Sequence, residues 1–130
     1  MTSHDAPAAD RTDRHPAGDG RGGGLIITRV ETTPVRVPLP TVFRGSHYQM
    51  THRSTLVTRL HTADGIVGEC YVGDEDASLL EIERIVQAEI APALMGMDAM
   101  ATERCWHAGY PATYDILRDR RLGLVALACV

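Results

Sequence analysis

The sequence predicts an α+β fold, a three-stranded antiparallel meander followed by a bundle of about three helices. Three observations predict it. Apolar and polar residues alternate in the runs Leu25–Leu39, Arg53–Thr62 and Ile66–Gly73, the period of half-buried strands. Asp64-Gly65 separates the last two runs and is a strong signal for a tight hairpin. After Gly73–Ser78 the apolar period changes, and Leu79, Ile82, Val86 and Ile90 recur at helical spacing.

The totals bound the rest. A chain of 130 residues is at most one ordinary domain. Met1–Gly24, rich in Asp, Arg, Ala, Gly and Pro, cannot bury enough surface to offset its ordering entropy. A disordered tail is expected there, ending in the flexible GDGRGGG. That stretch is no phosphate loop, because no strand precedes it and no Lys follows. About a hundred residues remain to fold, enough for one small core that is marginal alone. The net charge of −4 and pI near 5.8 argue against a nucleic-acid surface. All 13 basic residues are Arg, so the chain can supply no Schiff base, lysine general base or Walker lysine. Cys70, Cys105 and Cys129 form no CxxC pair and read as buried free thiols in a reducing compartment. The N-terminus has no apolar core of a signal peptide. The longest apolar run, Leu124–Val130, is far short of the roughly 20 residues a membrane span needs. A cytoplasmic protein with no membrane and no nucleic-acid partner is expected.

In chain order, Ile26 and Val30 alternate with polar partners, then Val35, Val37 and Leu39 do. The apolar phase shifts by one at Thr32–Pro34, which predicts a bulge or break near Pro34. Pro38 and Pro40 suit an edge or a strand end. In the second run Leu56, Thr58 and Leu60 share one face, and Val57, Arg59 and His61 the other. The third places Ile66, Gly68, Cys70 and Val72 together. Ser78 with Glu81 has capping-box spacing at the first helix, and Pro92 is expected to end it. Asp74, Glu75 and Asp76 form an acidic cluster that could hold a cation, although helix capping explains it more simply. Asp98 is the expected cap of a second helix reaching about Ala108 and stopped by Gly109 and Pro111, with Cys105 and Trp106 facing the core. A third helix begins near Asp115 or Asp119. Its last stretch, Leu122–Val130, is nearly all apolar and should be buried on several sides, more cover than so small a domain supplies. A continuation beyond it is therefore expected, and the isolated chain should expose an apolar patch and self-associate.

Chemistry is sparse. No Ser/His/Asp set, Cys/His pair or metal-carboxylate cluster has a linking spacing. His47 and His52 lie in a connection, not on a helix, and lack a third ligand nearby. The conspicuous segment is Leu39–Arg53, LPTVFRGSHYQMTHR, with the chain's single Phe43, plus Arg44, His47 and Tyr48. A long loop of this composition is either a binding segment or a solvated surface loop. Composition alone leaves both open.

The order of segments resembles a known family. The strand Ile27–Leu39, the Asp64–Glu69 hairpin DGIVGE and the ending Leu122–Val130 resemble, in order and spacing, the N-terminal capping domain of the enolase superfamily. The similarity is greatest to the mandelate racemase/muconate lactonizing enzyme branch, and it covers residues 25–130, truncated where the barrel would begin. In that family the cap closes over the mouth of a modified TIM barrel. The barrel holds Mg²⁺ on carboxylates and carries the bases, and the metal stabilises an enediolate formed by proton abstraction next to a carboxylate. The resemblance thus implies a lyase or isomerase: an acid-sugar dehydratase, racemase, epimerase or cycloisomerase. Its partners would be a small carboxylate such as a sugar acid, the missing barrel, and further copies in a homo-oligomer. No metal ligand or catalytic base has a matching position here, so the isolated chain is expected to be inactive and to hold no cofactor itself. Only the two lid segments carry over, Thr41–Arg53 and Gly73–Ala77. Within them Phe43, Arg44, His47 and Tyr48 are the expected substrate-facing residues, with Glu75 a further candidate. Arg44 could pair with a carboxylate while Phe43 and Tyr48 wall the pocket. The alternative is a truncated, non-catalytic fragment.

Overall fold

The computed structural model describes residues 24–73, 76–115 and 117–130. Apart from Gly24, the expected N-terminal tail lies outside them, as do Asp74 and Glu75 of the acidic cluster. The meander is present: β1 (Ile27–Arg44), β2 (Gln49–Thr62) and β3 (Val67–Tyr71) pair antiparallel in the order β1-β2-β3. The β2–β3 turn is closed by the Gly65 amide donating to the Thr62 carbonyl at 3.0 Å. Gly65 takes φ +80°, a left-handed conformation open to glycine and strained for most other residues.

The sheet has two unlike faces. Val30 faces Leu60, Thr32 faces Thr58, Pro34 faces Leu56 and Arg36 faces Ser54 across β1 and β2. These even-numbered positions turn toward the helices, and Val30, Ser54, Leu56 and Thr58 are buried. The odd-numbered face carries charge. Glu31 pairs with Arg29 and, at 2.8 Å, with His61, while Arg59 meets Glu69 at 2.6 Å. The hydrogen bond from His61, helped by Arg29, holds the Glu31 carboxyl below the usual carboxylate range.

The expected bulge near Pro34 is absent. Pro34 and Pro38 stand opposite Leu56 and His52 in continuous register, and the irregularities fall at Ile27/Arg29 and Pro38/Phe43 instead. A residue without an N–H fits a ladder unbroken only where its nitrogen faces away from the neighbouring strand. β1 has a neighbour on one side only, so both prolines fit, and the phase shift read from the sequence reflects Val35 and Val37 standing on the odd-numbered face, away from the helices, not a change of pairing.

The helices cover the inner face. α1 (Leu79–Ile85), a π turn (Val86–Ile90) and α2 (Ala91–Leu94) run on without leaving the helical region. Pro92 therefore does not end the rod. The π turn lets the Ala91 amide donate to the Val86 carbonyl, and the widened turn accommodates the missing proline N–H. The end comes at Gly96, with φ +78°. Nor does Ser78 form a capping box, for its side chain makes no cap hydrogen bond. Ile82, Ile85, Val86 and Ile90 are fully buried against Leu56 and Ile27, each worth about 1.5–3 kcal/mol. Gln87 and Glu83 tie the rod's flank to β1 through Val30 and Thr32.

Residues 96–99 return along the start of β1, with Ile27 donating to Met97 at 2.8 Å and Ala99 to Leu25 at 2.9 Å. Asp98 sits in this bridge, and its carboxylate accepts the Met100 amide at 3.0 Å, closing a turn ahead of the next helix and not capping it. α3 (Thr102–Gly109) starts later, and a 3₁₀ turn (Tyr110–Thr113) containing Pro111 extends it. Trp106 is half exposed, not turned into the core as expected. α4 (Arg120–Ala128) begins at Asp119, whose carboxylate accepts the Arg121 amide at 2.9 Å. Its apolar stretch finds more cover than expected. Leu122, Ala126, Leu127 and Cys129 are buried and only Leu124 is substantially exposed among its large apolar residues. Gly123 makes this possible, since a β-carbon there would lie 2.9 Å from the Ala112 carbonyl oxygen. Just before α4, the Arg118 side chain is 5% exposed and forks onto Glu89 at 2.7 and 3.0 Å. It also donates to the Ala112 carbonyl at 2.6 Å.

Candidate functional site: an overhanging ribbon

The segment expected to be a long loop is mostly a β-ribbon. β1 runs on to Arg44 and β2 starts at Gln49, with Phe43 opposite Met50 and Arg44 opposite Gln49. Gly45–Tyr48 is the turn, closed by the Gly45 amide donating to the Tyr48 carbonyl at 2.9 Å. A β-carbon on Gly45 would collide with the Tyr48 ring, so glycine lets that ring lie across the turn. The alternation of Thr41–Arg53 was masked in the sequence by the extra residues between Pro38 and Phe43.

The ribbon tip is outside the core. Phe43 is 57% exposed and Tyr48 66%, and Arg44 and His47 are exposed as well. Among the described residues no side-chain hydrogen bond or ion pair engages Arg44 or His47. The tip therefore gathers one cation, one imidazole and two rings that the fold does not use. As consecutive strand residues, Phe43 and Arg44 project to opposite faces. Tyr48 and His47 lie on the turn between the strands. Glu75 lies outside the described residues.

The base of the ribbon is fastened in a way that sequence reasoning missed. Asp76, read as a helix cap, instead accepts the Ser54 hydroxyl at 2.5 Å and the Arg36 guanidinium at 2.9 Å. The Ser54 hydrogen bond, then Arg36, holds its carboxyl below the ordinary aspartate range. The signal in the sequence was parity: Arg36 and Ser54 occupy inward positions of their strands, where an apolar residue would be usual.

One apolar cavity of about 290 Å³ lies at the opposite end of β1, lined by Ile27, Leu60, Ile90, Trp106, Leu127 and Val130 among others. It has no acid–base pair. Its thiol, Cys105, is pushed up by burial and by Asp98, the reverse of an activated nucleophile. Among the described residues no three His, Cys, Asp or Glu side chains are near enough to share a metal ion, and no helix is long and apolar enough to cross a membrane.

The described residues form a small α+β unit whose first two strands project as an overhanging ribbon. Residues 26–123 match the family described as Mandelate racemase / muconate lactonizing enzyme, N-terminal domain, and the chain belongs to that family. A crystal structure of a mandelate racemase/muconate lactonizing enzyme is 62% identical, with TM-score 0.78 over 82% of this chain and 29% of that one. Another, from a marine actinobacterium in complex with magnesium, is 54% identical with TM-score 0.69, covering 82% of this chain and 27% of that one. The L-Ala-D/L-Glu epimerase of Bacillus subtilis, in a substrate-liganded complex, shares the fold at 20% identity and TM-score 0.61, over 81% and 29% of the two chains. Among curated proteins there is no match. The chain thus spans under a third of the length of the solved relatives it matches.

Proposed function

We propose that this chain is the substrate-capping and specificity domain of a magnesium-dependent enolase-superfamily enzyme acting by proton abstraction next to a carboxylate. Candidate activities are acid-sugar dehydration, racemisation or epimerisation, and cycloisomerisation. The observation that carries the reading is the ribbon. It extends past the buried part of the sheet and presents Phe43, Arg44, His47 and Tyr48, none of which the core requires. The rings exclude water and shape a pocket, and Arg44 offers a fork for a carboxylate. Gly73–Ala77, including Glu75, is the second lid segment of this reading.

The reacting groups belong to a barrel domain outside these residues. Among the described residues no set of donors fits a magnesium ion. The isolated chain turns nothing over on this reading. The full-length protein is read as a cytoplasmic homo-oligomer, and the odd number and wide spacing of Cys70, Cys105 and Cys129 support a reducing compartment.

The test is a chimera. Residues 24–130 replace the corresponding part of the relative that is 62% identical, and the product is assayed with Mg²⁺ on sugar acids, 2-hydroxy acids and dipeptides. Retained turnover is expected, and Phe43→Ala with Tyr48→Ala should raise KM about tenfold or more while the fold is kept. A folded chimera whose KM values ignore all four ribbon positions would overturn the lid reading.

A further inference from the structure

Asp76 lies in the segment joining β3 to α1, and its carboxylate meets two side chains that are partners across the sheet. Arg36 and Ser54 face each other in register. Arg36 places Nε 2.9 Å from Oδ1 and Nη2 3.3 Å from Oδ2. Ser54 donates to Oδ1 at 2.5 Å. Ser54 is also the last buried residue of β2 on the way to the tip, only 1% exposed. The contact therefore marks the point where the ribbon leaves the covered sheet. Capping of α1, the usual work of an Asp in this place, is not what the carboxylate does.

From this geometry we propose that Asp76 is a positioning residue. By holding Arg36 and Ser54 together it sets the angle of the ribbon on the body and couples the ribbon to the Asp76–Ser78 turn that leads into α1. The purpose of this coupling rests on the lid reading above, whereas the coupling itself does not.

An exposed ion pair alone fixes little. Here both carboxylate oxygens are engaged, and one bond is made to a hydroxyl shielded from water, where a charged acceptor is strongest. A two-stranded ribbon has little stiffness of its own, so a fastening at its root governs its tip.

Residue-resolved hydrogen exchange on the 130-residue chain tests it. The reporters are the amides of Val37 and Arg53, one register step beyond the fastening, with Glu31 and Arg59, a pair of the same orientation nearer the core, as internal controls. Asp76→Asn should speed exchange at the reporters, at Gly45 and around Ser78 together by about tenfold, with the controls and the melting temperature unchanged. Ser54→Ala should do the same to a smaller degree. Exchanging the partners, Asp76→Arg with Arg36→Asp, should recover part of the protection. In the chimera Asp76→Asn should raise KM and spare kcat. Unaltered exchange at the reporters in both single variants, or acceleration spread evenly over the sheet, would overturn the proposal. If Asp76→Asn loosens the ribbon while the four tip substitutions leave KM unmoved, the coupling stands and the lid reading falls.

Discussion

Replacing Arg118 by Met should cost this domain much of its stability, and the loss should depend on pH. The guanidinium is 5% exposed and makes charge-assisted bonds to both Glu89 oxygens and to the Ala112 carbonyl. Removing one partner of a buried ion pair costs about 3–5 kcal/mol. Glu89 is 31% exposed and keeps Arg84 at 3.6 Å, which places the expected loss lower, at about 2–3 kcal/mol. For a domain of this size that is a fall in Tm of roughly 10–20 °C. The hydrogen bond from Arg118 holds the Glu89 carboxyl below its ordinary value of 4.5. A carboxylate lowered in the folded state adds stability that is fully present above that value and is lost as pH falls through the folded one. Arg118 stays charged throughout, so the wild-type advantage should be constant near pH 7 and shrink below about pH 4. Urea unfolding followed by Trp106 fluorescence, at pH values from 7 to 3, measures both. A difference under about 0.5 kcal/mol at pH 7, or one that ignores pH, would refute the reasoning.

Gly123→Ala should destabilise by about 1–3 kcal/mol, because its β-carbon meets backbone atoms of Ala112 and Thr113 at 2.9 Å; a thermal melt reads it. Ile82→Ala, at a fully buried site, should cost about 2–5 kcal/mol, seen as a lowered urea midpoint. Phe43→Ala and Tyr48→Ala in the isolated chain should change stability by less than about 0.5 kcal/mol, since neither ring is in the core; a larger loss by calorimetry would make them structural residues. Adding Mg²⁺ to the isolated chain should leave its Tm unmoved, because binding to the folded state alone would raise it.

The elements and their order were legible because period 2 and period 3.6 are visible in Leu56–Leu60 and Leu79–Ile90 without any tertiary knowledge. Punctuation read less well, for reasons particular to each residue. Pro92 looked like a stop, yet a π turn absorbs it. Asp98 looked like a cap, yet its carboxylate takes the Met100 amide in a turn that precedes the helix. Trp106 looked like core, yet it stands half exposed at the border of the cavity. At the ribbon, composition picked out the tip residues but not their setting, since the register change between Pro38 and Phe43 hides the strand alternation. The Arg36–Asp76–Ser54 contact joins residues far apart in sequence, and no local pattern announces such a contact.

The two prolines held in register at the free margin of β1 have a consequence for assembly. An unpaired strand margin invites another chain to add on, and each outward N–H is an anchor for it. Pro34 and Pro38 delete two of those anchors on the longest strand, and β3, at the other margin, has only five residues to offer. Both margins are thereby poor templates for edge-to-edge pairing between copies of this domain. Replacing both prolines with threonine would turn β1 into a template for edge-to-edge aggregation without moving a single core side chain.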